Sequence, residues 1–119
     1  MSTSLYHNAR CSKSREALNV LKEHDVQCEV VEYMKVPLSS SDLQAIIQKL
    51  GITPYDLIRK KEKVFKEKFS TSDIEGTDWI QAMIDYPQLM ERPILVSNNK
   101  AVIGRPPSNV LSIIPSSAF

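Results

Sequence analysis

The chain has 119 residues and a net charge of +1, with 42% hydrophobic and 24% charged residues. This composition is typical of a globular domain with a sizeable core, and it excludes a disordered or fibrous protein. A net charge so near zero provides no overall field for nucleic acid or an anionic membrane, so functional positive charge must be local. No apolar run reaches the ~20 residues of a membrane span, and the N-terminus lacks a secretory pattern.

Two cysteines, Cys11 and Cys28, are too few to provide a disulfide framework for a domain of this size. We therefore expect a reduced protein in the cytoplasm, with a monomer as the default state. No bound cofactor, metal site, nucleic-acid partner or membrane partner is predicted.

The first part of the chain predicts a strand, a helix and a second strand. Residues 2–7 are compatible with a strand, and apolar residues recur at helical spacing from Ser12 onward. Residues 26–34 are rich in β-branched and aromatic types and predict a strand that ends before Pro37. Cys28 alternates with valines on one side of that strand, which favours a structural role for its thiol.

A helical block follows at about residues 38–88. Its first helix has several serines as possible N-caps, apolar residues at i, i+3, i+4 and i+7, and Gly51 as its stop. Shorter helices are predicted at 55–58 and 78–86, with a charged stretch at 60–68.

The last part predicts a β-hairpin and a helix. Short apolar strands at 93–96 and 101–103 enclose Asn98-Asn99, a favourable pair for a tight turn, and Pro106 or Pro107 can start the helix. The whole chain thus predicts one α/β domain of the thioredoxin-like (glutaredoxin-like) type, ordered β-α-β, helical insertion, β-β-α. The first crossover should be right-handed.

Cys11 lies where the first strand passes into the first helix. Backbone N–H groups of a first helical turn are unpaired and attract anions, so a thiolate here is stabilised relative to its thiol. Arg10, Lys13 and Arg15 are expected to act in the same direction. A lone cysteine is more often a buried small residue, but these basic flanks favour a nucleophile.

The thiol has no adjacent resolving partner. A C-x-x-C oxidoreductase would carry a second cysteine where Ser14 stands, so an external thiol must regenerate Cys11. His7, Asn8, Ser12, Ser14 and Arg15 are the candidates for supporting the thiol and its loop. His7 could tune the thiolate or be purely structural, and Asn8 could organise the loop through side-chain hydrogen bonds.

Three arginines stand beside apolar or proline-containing segments: Arg59, Arg92 and Arg105. Most arginines are solvated surface charges, and each of these alone is a weak signal. Guanidinium groups, however, donate two hydrogen bonds at once to an oxyanion, so with Cys11 they form a candidate oxyanion site. The Arg92-Pro93 bond also favours a cis peptide more than an ordinary bond does.

Four segments together resemble the arsenate reductase family of the glutaredoxin-coupled, thioredoxin-like type. They are YHNARCSKSR at 6–15, LGITPYDLIRKKE at 50–62, MERPILV at 90–96 and KAVIGRPPSNVL at 100–111. The CSKS loop looks closer to a short-chain branch of that family. Ala9 stands where family members commonly carry proline, which should loosen the backbone of the loop without removing a reacting group.

The resemblance implies that Cys11 attacks arsenate and forms a covalent adduct, while Arg59, Arg92 and Arg105 bind the oxyanion and His7 lies near the nucleophile. It also implies that glutathione, as co-substrate, attacks the adduct and that glutaredoxin resolves the mixed disulfide, releasing arsenite. Two alternatives remain open at this point. One is a redox-regulatory binding module of the same fold, although Ser14 removes its usual C-x-x-C switch. The other is a glutathione-dependent oxidoreductase that acts on another substrate.

Overall fold

The computed structural model describes residues 3–71 and 73–114, and the chain forms two compact units. Met1–Val36 and Arg92–Phe119 make up the first unit, described from Thr3 to Ile114, and Pro37–Glu91 make up the second. The helical block that the sequence places at about 38–88 corresponds to the second unit. Residue 2 of the first predicted strand lies outside the described residues.

The first unit contains a four-stranded mixed sheet, one α-helix and one 3₁₀ helix. Strand order is β2-β1-β3-β4; β1 pairs parallel with β2 and antiparallel with β3, which pairs antiparallel with β4. The elements are β1 (Thr3–Tyr6), α1 (Ser12–Glu23), β2 (Glu29–Val31), β3 (Ile94–Ser97), β4 (Lys100–Ile103) and the 3₁₀ helix (Pro107–Ile113). This architecture confirms the predicted α/β class and element order.

The core of this unit lies between the sheet and its helices. Fully or almost fully buried apolar side chains from β1, α1, β3 and the C-terminal segment form one cluster: Leu5, Ala17, Leu21, Leu95, Val110 and Ile114. Burying a side chain of leucine size is worth roughly 1.5–3 kcal/mol, so this cluster fixes α1 and the 3₁₀ helix against the sheet. The start of α1, and with it Cys11, is thereby held at a defined position.

Strand β2 is much shorter than the predicted 26–34. It is an edge strand whose only partner is β1, and pairing is confined to Ser4–Tyr6 of β1 opposite Glu29–Val31. The other residues of the predicted strand lie outside this ladder. Val26 and Cys28 pack against the core, whereas Val30 is 41% exposed, so the prediction that these three residues share one side of a strand is wrong.

The hairpin and its turn agree with the sequence. Ser97 pairs with Lys100 across a two-residue turn, and Asn98 adopts the left-handed region with φ 54°. Asparagine tolerates that conformation better than most residues, which is why the Asn98-Asn99 pair was a usable signal.

The second unit is helical. It comprises α2 (Ser40–Leu50), a 3₁₀ helix (Pro54–Leu57), α3 (Lys63–Lys68), α4 (Trp79–Asp85) and a 3₁₀ helix (Pro87–Leu89). Among the serines that could cap α2, Ser39 does so, in a reciprocal capping box with Asp42. Gly51 ends α2 in the left-handed region at φ 71°, as predicted.

An aromatic cluster orders the middle of this unit. The Trp79 ring lies 5.0 Å from Tyr55, 6.0 Å from Phe65 and 5.6 Å from Phe69, measured between ring centroids. Such pairs hold α3, which buries no residue completely, against α4. Across residues 3–71 and 73–114, no helix has the length and apolarity that a membrane crossing requires.

Candidate active site

One end of the sheet gathers the reactive loop and two of the three arginines. Strand β1 ends at Tyr6, which pairs with Ile94 at the start of β3, and antiparallel β4 finishes at the same end. The loop to Cys11 leaves β1 here, Arg92 precedes β3, and Arg105 follows β4. Residues distant in sequence thus meet because of the strand pairing.

Cys11 occupies the N-cap position of α1. Its backbone is extended (φ −90°, ψ 123°), its N–H donates to the Asn8 carbonyl at 3.0 Å, and its carbonyl accepts from the Arg15 N–H at 3.1 Å. Cys11 Sγ makes no hydrogen bond of regular capping geometry, but the backbone N–H groups of Lys13 and Ser14 in the first turn are near enough to lower the pKa of its thiol. This confirms the predicted position at the strand-to-helix junction.

The Ser14 side chain fixes the loop that precedes Cys11 through hydrogen bonds. Its side chain is completely buried, and Oγ accepts the Asn8 backbone N–H at 3.0 Å and lies 2.7 Å from His7 Nδ1. The Asn8 side-chain oxygen in turn accepts the Arg10 N–H at 3.0 Å. The loop is therefore fixed by three hydrogen bonds that involve predicted supporting residues.

His7 is buried, at 5% exposure, and its environment disfavours a positive charge. Burial is the main cause that lowers the pKa of His7, and Arg15 adds to it; Glu32 and the hydrogen bond with Ser14 oppose the shift. His7 therefore stays neutral at neutral pH and serves the loop as a hydrogen-bonded group rather than as a cation beside the thiolate.

This lowered pKa predicts a pH-dependent stability. As pH falls below about 6.5, the histidine of the unfolded chain binds a proton that buried His7 resists, so the free energy of unfolding should decrease. In urea unfolding at pH 7, 6 and 5, His7→Gln should show a shallower decrease than wild type. His24→Gln, which replaces a histidine that is exposed in the folded protein, is the control. Parallel decreases in wild type and His7→Gln would contradict the assignment.

The Arg105 side chain forms a hydrogen bond with the Cys11 thiol. Its Nη2 lies 3.5 Å from Cys11 Sγ, and its Nε donates to the Arg92 carbonyl at 2.8 Å. Asn109 donates from its side chain to the Arg105 carbonyl at 3.0 Å. The guanidinium is thus held between the Arg92 carbonyl and Cys11 Sγ. Asn109 fixes the Arg105 backbone and is a supporting residue that the sequence reasoning did not identify.

Gly104 allows the two arginine segments to approach each other. A Cβ at this position would lie 2.8 Å from the Pro93 ring and 3.0 Å from Val110, and the Gly104 N–H donates to the Pro93 carbonyl at 2.8 Å. The Arg92-Pro93 bond is cis, as predicted, and so is Arg105-Pro106. A glycine directly before Arg105 is the sequence feature from which the close approach of these two segments could have been predicted.

The surroundings of Cys11 favour its thiolate. Burial by itself raises the pKa of the Cys11 thiol, but the Ser14 backbone N–H, the Arg92 guanidinium and the Lys13 backbone N–H together bring it below its usual value. Arg92 lowers the pKa both through a side-chain hydrogen bond and through its charge, and Arg105 adds the hydrogen bond at 3.5 Å. The guanidinium groups of Arg92 and Arg105 therefore both interact with Cys11 Sγ.

The basic side chains within the loop are not the main groups that stabilise the Cys11 thiolate. Arg10 is exposed, and Lys13 forms an exposed ion pair with Glu16 at 3.6 Å. Arg15 donates to the Ala9 carbonyl at 2.8 Å, which pins the loop. The electrostatic support predicted for these side chains comes instead from backbone N–H groups and from Arg92, which is distant in sequence.

The lowered pKa of Cys11 can be measured directly. The rate of alkylation by iodoacetamide, followed by mass spectrometry against pH, should have a midpoint below the ~8.5 of a free thiol. Cys28 is half-buried, burial raises its pKa, and it packs against the core. Its alkylation therefore provides an internal control with a higher midpoint. A Cys11 midpoint at or above 8.5 would contradict the assignment.

The two remaining predicted residues are Ser12 and Arg59. Ser12 is the exposed first residue of α1. Arg59 belongs to the helical unit, where its Nε lies 3.6 Å from Glu62 Oε2 and its N–H donates to Leu89. Its Nη1 is buried without a hydrogen-bond partner among the described residues. A role for Arg59 in oxyanion binding stays a prediction.

Comparison with known proteins places the fold and the reactive loop in one family. The ArsC family matches residues 6–113 of the chain. The uncharacterized Escherichia coli protein YfgD is 49% identical over 92% of this chain and 94% of its own length. An arsenate reductase from Neisseria meningitidis serogroup A is 38% identical over 92% and 96%, respectively.

The solved structures agree. The structure of an arsenate reductase from Vibrio cholerae matches with a TM-score of 0.88 and 38% identity, covering 96% of this chain and 98% of that one. Closer assignment to the CSKS branch stays a prediction. Because the family matches residues 6–113 and relatives 38–49% identical cover nearly the whole chain, this chain is a member of the ArsC family with the thioredoxin-like α/β fold.

Proposed function

We propose that this protein reduces arsenate to arsenite through the Cys11 thiolate. The observation that carries the proposal is the Arg105 guanidinium 3.5 Å from Cys11 Sγ, in a loop where backbone N–H groups and Arg92 lower the pKa of the thiol. A nucleophile and permanently charged hydrogen-bond donors suited to an oxyanion therefore meet at one place. The relatives that bear the name arsenate reductase support this substrate.

In the first step, the Cys11 thiolate attacks arsenic and a sulfur–arsenic bond forms. One arsenate hydroxyl takes up a proton and leaves as water. Arg92 and Arg105 would stabilise the negative charge on the remaining oxygens, and these donors need no rearrangement during the step because they are already held in place. Arg59 is the third oxyanion ligand that the family resemblance implies.

Reduction requires a second thiol from outside the chain. The glutathione thiol attacks the Cys11 sulfur and a disulfide forms, while the sulfur–arsenic electron pair stays on arsenic and the thiol proton passes to an arsenite oxygen. Arsenic gains two electrons and the two sulfurs lose them. Glutaredoxin then exchanges with the mixed disulfide and returns Cys11 to the thiol. This sequence fits a reducing cytoplasm.

A coupled assay tests the proposal. The purified protein is combined with arsenate, glutathione, glutaredoxin, glutathione reductase and NADPH, and NADPH consumption is followed by absorbance. We expect consumption that depends on both arsenate and this protein. Consumption that is independent of arsenate, yet supported by a model disulfide substrate, would contradict arsenate reduction and favour a glutathione-dependent oxidoreductase with another substrate.

A further inference from the structure

Regeneration of Cys11 requires a thiol molecule to reach its sulfur. Only two cysteines are present, and Cys28 is half-buried against the core, with a pKa that its burial raises. Arg92 and Arg105 approach from the side of β3 and β4. If these arginines hold an oxyanion, a thiol co-substrate must therefore reach Cys11 Sγ from another side.

A cavity of about 420 Å³ provides such an approach on the other side of β1. Its walls come from two segments that follow neighbouring parallel strands: His7–Arg10 after β1, and Glu32, Met34 and Lys35 after β2. Ligands of α/β proteins commonly bind at the carboxyl ends of parallel strands, and this volume lies within the range of small-molecule sites. We call it the β1–β2 cavity.

The β1–β2 cavity adjoins the reactive residue. Arg10 lines it and directly precedes Cys11, so their Cα atoms are about 3.8 Å apart. The cavity is formed by segments that follow β1 and β2, whereas Arg92 precedes β3 and Arg105 follows β4. In the sheet, β2 and β3 lie on opposite sides of β1. A molecule in the cavity could present a thiol to Sγ without displacing an anion from Arg105.

The charges of the cavity indicate the class of ligand. Arg10 and Lys35 are cationic, Glu32 is anionic, and the partly exposed Met34 and Ala9 add apolar surface. The Lys35 ammonium and a Glu32 oxygen are 3.5 Å apart in a largely solvated pair. Such a pair contributes little to stability, so both groups can turn to a ligand at small cost.

We propose that the β1–β2 cavity binds the peptide portion of the thiol co-substrate. The co-substrate class is a small peptide thiol with two carboxylates and one ammonium group, as in glutathione. Arg10 and Lys35 receive the carboxylates and Glu32 receives the ammonium. This inference rests on the proposed function for the identity of the thiol, and it assigns to the cavity a positioning role in the disulfide-forming step described above.

Binding without arsenate provides the first test. S-methylglutathione, which cannot form a disulfide, is titrated into the wild-type protein and followed by amide chemical shifts in NMR spectra. We expect shifts at residues 7–10 and 32–35, and a Kd at least tenfold higher in Lys35→Glu. Lys100→Glu, at the opposite end of the sheet, is the matched control and should bind as wild type. Absence of binding, or an unchanged Kd in Lys35→Glu, would overturn the proposal.

The kinetic test separates the co-substrate from the oxyanion. In the coupled assay, Lys35→Glu and Arg10→Ala should raise the KM for glutathione about tenfold, equivalent to ~1.4 kcal/mol, with little change in the KM for arsenate. Equal increases in both KM values would overturn the proposal. The NMR titration contains no arsenate. It therefore tests binding at the β1–β2 cavity even if the protein does not reduce arsenate, and the two proposals can fail separately.

Discussion

Cys11→Ser is expected to abolish arsenate-dependent NADPH consumption, with a loss of at least roughly 10³-fold in kcat. A serine hydroxyl does not ionise near neutral pH, so the backbone N–H groups of Ser14 and Lys13 and the Arg92 guanidinium no longer have a thiolate to stabilise. No covalent arsenic adduct can then form by the proposed route. The measurement is the coupled assay at saturating arsenate and glutathione.

Cys28→Ala is the matched control for this prediction. Cys28 packs against the core of the same unit and its thiol has a raised pKa because of burial, so its loss should affect stability more than activity. Activity within about twofold of wild type is expected once the protein is folded. A Cys11→Ser protein that keeps a tenth or more of wild-type activity would contradict nucleophilic catalysis by Cys11.

Removal of either arginine beside Cys11 should weaken the capture of arsenate. Hydrogen bonds to charged groups are worth about 1.5–3 kcal/mol, so Arg92→Ala and Arg105→Ala should each lower kcat/KM for arsenate by roughly 10- to 150-fold. Arg105→Lys should recover little of this loss, because an ammonium group cannot reproduce the planar pair of donors. The KM for glutathione should change much less than that for arsenate.

The same variants have a second readout in the thiol itself. Arg92→Ala should shift the midpoint of Cys11 alkylation to higher pH, because that guanidinium lowers the pKa of the thiol. Lys100→Ala, which removes an exposed cation from the opposite end of the sheet, should change neither measurement. If kcat/KM for arsenate in both arginine variants equalled that of wild type, the assignment of Arg92 and Arg105 to oxyanion binding would be wrong. Arg59→Ala in the same assay tests the role implied for the helical unit.

The sequence by itself determined the order of the elements and the position of Cys11 at the start of a helix, because the relevant signals are local. Helical spacing of apolar residues, the Asn98-Asn99 turn and the Gly51 stop depend on a few neighbouring residues, and the structure contains each of these features. The setting of Cys11 before the first turn of a helix is local as well. Its N–H environment could therefore be anticipated before any tertiary contact was known.

Only the tertiary structure decided which groups meet. Arg105 reaches Cys11 across 94 residues of sequence, and this contact depends on strand pairing and on the close approach at Gly104. The extent of β2 was likewise decided by its pairing with β1, which is confined to Glu29–Val31. The backbone donors beside the thiol agree with the prediction, but the cation that lowers its pKa is Arg92 instead of the neighbouring Arg10, Lys13 and Arg15. A cation's effect depends on its distance and desolvation in the folded chain, which sequence spacing does not give.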